Sequence, residues 1–225
     1  LGGDSNLPVE PVFPVEPSTY TLIDTYTANT TFIAPENGWY QVEVFGASGN
    51  GGNGYTNTYD EGEGYDTYYY GRSGGGGGGG GYASSVVTLN KGDLVFVEIG
   101  AVGSNTIVTI NSTTNETYEV MTVTSGDNGT AANGSGVGMG GTGGVASGGQ
   151  TNINGENGSN GTGAGTMYPD ASTVNFAGGT GGSPAHADGN TGGAGGSAIR
   201  TIAHNGSSGS AGFVKISRGD TNITA

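Results

Sequence analysis

The chain has 225 residues, 51 of them glycine and none cysteine, with a formal net charge of −14. This composition excludes a disulfide framework and a thiolate metal centre. Its five basic residues, Arg72, Lys91, Arg200, Lys215 and Arg218, are too scattered for a nucleic-acid footprint, and no apolar run reaches the roughly 18 residues of a membrane span.

The chain begins at Leu1, which fits a removed leader or an excised segment alike. Pro8, Pro11, Pro14 and Pro17 then repeat at intervals of three, the period of a stiff polyproline II arm. Val9, Val12 and Val15 share one face of that arm, with Phe13 beside them. Residues 1–19 are thus read as an extended arm or linker, and the apolar stripe as a contact for a neighbouring subunit. Residues 20–225 are read as one domain.

Period-two alternation predicts strands at 20–26, 30–34 and 39–45. In the last of these, Tyr40, Val42 and Val44 face one side and Gln41 and Glu43 the other, as in an antiparallel strand with one wet face. That strand runs directly into Gly46, Gly49 and Gly52, so strands and glycine segments are expected to continue one another coaxially.

Residues 55–70 read as a tyrosine-rich loop, with Tyr55, Tyr59, Tyr65, Tyr68, Tyr69 and Tyr70. Tyrosine offers a large amphipathic contact surface at low entropic cost. The loop is therefore either a receptor-binding surface or a lid over the glycine layer. Asp60, Glu61, Glu63 and Asp66 are weak calcium candidates, because their spacing fits no calcium-loop repeat.

Gly74 opens a run of eight consecutive glycines, either a buried rod or a flexible arm. Strands follow at 82–89 and 94–99, the second expected to be buried on both faces at its start. A hairpin spans 106–110 and 117–124, and further strands fall at 198–203 and 212–217. The last strand lies far in sequence from the first, as a sandwich closed by non-local pairing requires.

Across 126–197 glycine recurs every third residue, as at Gly155, Gly158 and Gly161. Three residues per turn is the polyproline II repeat, whose backbone groups point outward and need partners. Without Cβ atoms such helices approach closely enough to bond to one another. Polyglycine II helices are expected at about 46–54, 71–81 and 126–197. Collagen would demand a strict repeat rich in proline. A flexible Gly/Ser linker is the alternative, and the regular spacing and bracketing strands argue for order.

His186 lies near Ser183 and Asp188, but neighbours on an extended chain do not assemble a catalytic triad. No catalytic constellation, cofactor or metal site is expected, and the chain is read as a non-enzyme. Asn-X-Ser/Thr sequons occur at Asn29, Asn111, Asn115, Asn128, Asn133, Asn157, Asn160, Asn205 and Asn222. They are either glycan acceptors or Asn-Gly turn chemistry at positive φ.

The segments Thr31-Phe-Ile-Ala-Pro-Glu-Asn-Gly-Trp-Tyr-Gln-Val-Glu-Val-Phe-Gly-Ala47 and Gly81-Tyr-Ala-Ser-Ser-Val-Val-Thr-Leu-Asn-Lys-Gly-Asp-Leu-Val-Phe-Val-Glu-Ile-Gly100, and the ending Gly209-Ser-Ala-Gly-Phe-Val-Lys-Ile216, resemble the glycine-rich domain of phage virion and tail-fibre proteins. They are also similar to the glycine-rich region of anaplastic-lymphoma-kinase-type receptors, although this chain lacks their cysteines. The resemblance implies an all-β fold, a jelly-roll-like antiparallel β-sandwich with an inserted polyglycine II helix bundle. It also implies a fibre or adhesin module on an extracellular or virion surface. The expected partner is a host-surface glycan or protein, met through the tyrosine loop and the turns near Tyr168 and Phe176. The other expected role is a filament or capsid-decoration subunit, self-associating as a homotrimer or filament through its arm. Neither role involves nucleic acid or membrane insertion.

Overall fold

The computed structural model describes residues 16–62, 66–112, 117–163 and 168–219. The arm residues Val9, Val12, Phe13 and Val15, together with Tyr65 and Glu63, lie outside them. The fold is all-β, with no α-helix among the described residues.

The strands are β1 (Tyr20–Tyr26), β2 (Thr30–Ile33), β3 (Gly38–Phe45), β4 (Tyr55–Asp60), β5 (Thr67–Arg72), β6 (Tyr82–Leu89), β7 (Leu94–Glu98), β8 (Thr106–Ser112) and β9 (Thr117–Val123). The short strands β10 (Ala146–Ser147), β11 (Thr151–Ile153), β12 (Asn175–Phe176), β13 (Ala198–Ile199) and β14 (Ile202–Ala203) follow, and β15 (Phe213–Gly219) closes the chain. One five-stranded antiparallel sheet has the order β1-β15-β3-β6-β11 and a second the order β10-β9-β8-β7-β2. The closing strand β15 sits between β1 and β3, so the first sheet forms only when both ends of the domain have been made.

One core cluster draws on both sheets. Tyr40, Val42 and Val44 of β3 and Val214 and Ile216 of β15 meet Val95 and Val97 of β7, Val108 and Ile110 of β8 and Met121 and Val123 of β9. Burying each such side chain contributes about 1.5–3 kcal/mol. The expected alternation in β3 is therefore present. In β7 it corrects the reading of 94–99: Val95 and Val97 are buried, but Phe96 is 39% exposed, so only one face of that strand is covered.

Between the sheets and the opposite end of the molecule run the segments 46–54, 73–81, 124–132, 138–145, 154–162, 178–185, 189–197 and 204–212, which belong to no sheet or helix. They alternate in direction. Gly46 donates to Gly81 O beside the sheets, whereas Gly52 donates to Gly75 O towards the other end. The segment 73–81 lies at the centre. Its N–H groups from Ser73 to Gly80 donate in rotation to Thr162, Gly196 and Thr130, then Ser159, Gly193 and Asp127, then Glu156 and Asn190. Its carbonyls accept in the same rotation from 138–145, 178–185 and 46–54.

Every backbone donor and acceptor from Ser73 to Gly80 is thus satisfied without a ladder, and each third residue faces the same neighbour. No direction remains for a side chain. A Cβ on Gly75 would stand 1.9 Å from Met139 O, and one on Gly76 2.0 Å from Thr180 O. This is the physical reason for the uninterrupted glycine run. In the outer segments one or two positions in three meet a neighbour's backbone closely, as at Gly140 and Gly141 or at Gly155 alone in its turn, so glycine alternates there with residues such as Asn, Ser and Thr.

Four further expectations are corrected. The tract 126–197 is interrupted by β10, β11, β12 and a 3₁₀ turn at Ala171–Thr173. The reading of 198–203 as one strand gives way to the β13–β14 hairpin, whose turn holds Arg200 at φ 56°. The stretch 55–70 is not a loop, because β4 and β5 form a two-stranded hairpin. Finally, the Asn-Gly pairs of the segments are not positive-φ turns, since positive-φ glycines among the described residues are Gly62, Gly92, Gly103, Gly148 and Gly163. The Asn side chains instead accept from N–H groups of neighbouring segments, as Asn157 Oδ1 does from Gly143 N and Asn160 Oδ1 from Gly140 N, 2.9 and 2.8 Å.

Candidate functional site

The end remote from the five-stranded sheets gathers the β4–β5 hairpin, the turn 133–136, the stretch 168–176 and the three-stranded sheet β12-β13-β14. It has a small core of its own. Val174 and Ala198 are fully buried, and a Cβ on Gly71 would meet both. The hairpin is tied down by Tyr69, which exchanges both backbone bonds with Tyr168 at 2.8 Å, and by Thr56 Oγ1 donating to Thr201 O.

Antiparallel register sorts the tyrosines. Tyr55 faces Arg72, Asn57 faces Tyr70 and Tyr59 faces Tyr68, and cross-strand partners share one face of a hairpin. Tyr55, Tyr59, Tyr68 and Tyr70 therefore come together, while Tyr69 falls on the other face with Gly71, towards the small core. Sequence reasoning found these rings but missed Asn57, Arg72 and Asn133; the period-two register of the hairpin, which brings Asn57 and Arg72 onto the tyrosine face, was the available signal.

On the tyrosine face the rings of Tyr55 and Tyr70 lie 6.0 Å apart. Asn57 Nδ2 donates to both phenol oxygens, at 3.3 and 3.1 Å. The Arg72 guanidinium sits 5.8 Å from the Tyr70 ring centroid and donates through Nη1 to Asn133 O at 3.0 Å. The Tyr55 hydroxyl bond, the Asn57 amide and the Arg72 cation all hold the Tyr70 phenol below the ordinary tyrosine value, while donating to Tyr70 raises Tyr55. At the hairpin apex Tyr59 is 51% exposed. This is a surface of amphipathic rings with one cation, suited to stacking and hydrogen bonding and without a nucleophile–base pair.

Of the acidic apex, Asp60, Glu61 and Asp66 are described and Glu63 lies outside the described residues. Asp60 Oδ1 accepts from Gly62 N, and among the described residues no three His, Asp or Glu side chains could hold a metal ion. The Ser183, His186 and Asp188 constellation also fails to assemble. His186 stacks on Tyr82 at 4.6 Å, and the Asp188 carboxylate goes to Lys215 Nζ at 2.9 Å, which holds its pKa below the usual range.

A cleft of about 230 Å³ at the edge of β6 is lined by Trp39, Val86, Glu119 and Gln150 among others. Its polar groups are largely engaged: the Gln150 amide pairs with Val86 N and O as a strand residue would, and Glu119 accepts from Ser85 Oγ. No helix among the described residues is long and apolar enough to cross a membrane. No family model, no curated protein and no solved structure matches the chain.

Proposed function

We propose that the chain is a non-enzymatic surface module of an extracellular or virion fibre that binds a host-surface glycan or protein through its far end. In this reading the two large sheets make a jelly-roll-like sandwich. The glycine segments make a polyglycine II bundle that holds the recognition surface away from it, as the resemblance to phage tail-fibre domains implies. The observation that carries the proposal is the sorting of Tyr55, Tyr59, Tyr68 and Tyr70 onto one face of a hairpin. A hairpin serving only as a lid has no need to keep Tyr59 half in solvent.

The test uses the fluorescently labelled chain on a panel of bacterial and animal cells. On cells that bind, Tyr59→Ala combined with Tyr68→Ala lowers affinity at least about tenfold, the scale of an aromatic hot spot. Tyr69→Phe leaves it unchanged. Full binding by the double variant, with the fold intact by circular dichroism, refutes the assignment.

Self-assembly is the second reading, favoured by β1. This strand keeps Leu22 and Ile23 51% and 42% exposed and is the edge of its sheet among the described residues, the kind of edge that accepts a strand from another chain. Fibres in solution that vanish on removal of residues 1–18 establish that role in place of the first.

A further inference from the structure

The Asn-Gly pairs differ in one chemically decisive respect. A glycine N–H following asparagine is the nucleophile that can close on the side-chain Cγ, the route by which Asn becomes a thermolabile residue. Within the glycine-rich segments that nitrogen is occupied. Gly51, Gly54, Gly129, Gly155, Gly158 and Gly161 each donate to a neighbouring carbonyl at 2.8–2.9 Å, and Gly206 donates to Asn53 Oδ1.

The exception is Asn133-Gly134, in the far-end turn. Gly134 N has no partner among the described residues. The Asn133 Oδ1, in contrast, accepts from three donors, Ser135 N at 2.9 Å, Ser135 Oγ at 2.7 Å and Gly136 N at 3.0 Å. Donors converging on a carbonyl oxygen stabilise the negative charge that forms there when a nucleophile adds to its carbon. Among the Asn-Gly pairs of the glycine segments and the far end, the nucleophile is therefore free and the electrophile held by three donors at this pair; the remaining pair, Asn37-Gly38, opens β3, where Gly38 is paired with Leu89.

We propose that Asn133 is a self-modification site, converting to aspartate and isoaspartate through a succinimide with Gly134. Hydroxide takes the Gly134 N–H proton and the Gly134 N–Cγ bond forms, placing the charge on Oδ1. The Cγ–Nδ2 bond then breaks, and ammonia leaves with a proton from water. Water adds to either ring carbonyl carbon and the bond from that carbon to the Gly134 nitrogen breaks, the nitrogen taking a proton: addition at Cγ gives aspartate, addition at the Asn133 backbone carbonyl gives isoaspartate. Oxidation states are unchanged and water is the sole co-reactant. The product sets a carboxylate beside Arg72, whose guanidinium already holds the Asn133 carbonyl, in contact with the tyrosine face.

The experiment follows the folded 225-residue chain through incubation in mildly alkaline buffer at physiological temperature, with peptide mapping of every Asn-Gly pair by mass spectrometry. Asn133 converts about tenfold faster than Asn157 or Asn160, the margin expected when one backbone hydrogen bond need not be opened. In urea the difference disappears. Ser135→Ala, which removes one Oδ1 donor, slows conversion at Asn133 and nowhere else. Equal rates at Asn133 and Asn157 in the folded chain overturn the proposal, as does conversion confined to other asparagines.

Discussion

Gly77→Ala is the sharpest perturbation of the glycine body. Gly77 sits mid-way along the central segment, and a Cβ there would lie 2.2 Å from Gly49 O, 2.4 Å from Gly49 C and 2.7 Å from Asn50 O. All three are backbone atoms, so no side chain can swing aside. The segment 46–54 must shift outward, which loosens the bonds from Gly49 N to Gly78 O and from Gly52 N to Gly75 O, 2.9 and 2.8 Å. Overpacking costs about 1–3 kcal/mol, and two weakened hydrogen bonds cost about 1 kcal/mol each. The sum is roughly 3–5 kcal/mol, or roughly 6–20 °C in Tm for a domain of this size. The control is Gly136→Ala, where an added Cβ meets nothing within 4 Å and the cost falls below about 0.5 kcal/mol. Thermal and urea unfolding of both variants give the comparison. A Gly77→Ala variant within about 1 kcal/mol of Gly136→Ala refutes the idea that the central segment is closed on all sides.

Two further outcomes follow from single residues. Burial, with the bond to Glu43 Oε1, pushes the Tyr82 phenol up to about 12. The folded protein therefore keeps this proton above pH 10, where the unfolded chain loses it. The associated stability, about 2–3 kcal/mol for two pH units, is fully present below pH 10 and lost as pH rises towards 12. Tyr82→Phe costs about 1–2 kcal/mol at neutral pH and reduces that alkaline limb of the stability profile, leaving the shares due to Tyr20, also raised to about 12, and to Tyr26 and Tyr40, raised by burial. An unchanged limb contradicts the assignment. Arg200→Gly relieves a left-handed residue at φ 56° and raises stability by about 0.5–1 kcal/mol in the same unfolding assay.

Much of the strand layout was readable because single strands carry their own period: Tyr40, Val42 and Val44 announce an inner face without knowledge of the partner. Phe96 misled because its alternation with Val95 and Val97 is invisible when both faces are apolar, and only the second sheet's lack of a cover on that side exposes the ring. The glycine period was legible as a need for close backbone approach. What each segment would meet was not, since the partners of Gly76, namely Ser159 and Gly141, lie more than sixty residues along the chain. The tyrosine stretch looked like a loop because Tyr68, Tyr69 and Tyr70 are contiguous and break alternation in composition. Register with Asn57 and Tyr59 supplies the order that composition hides.

The lateral bonding of the glycine segments has a mechanical consequence. The bonds between neighbours run across the long axis, so a pull applied at the far end against the sheets loads them in shear. They share that load along the length of each segment, where a zipper opened from one end would break them singly. A body bonded this way resists extension mainly through backbone atoms, with Asn157 and Asn160 adding side-chain bonds between segments.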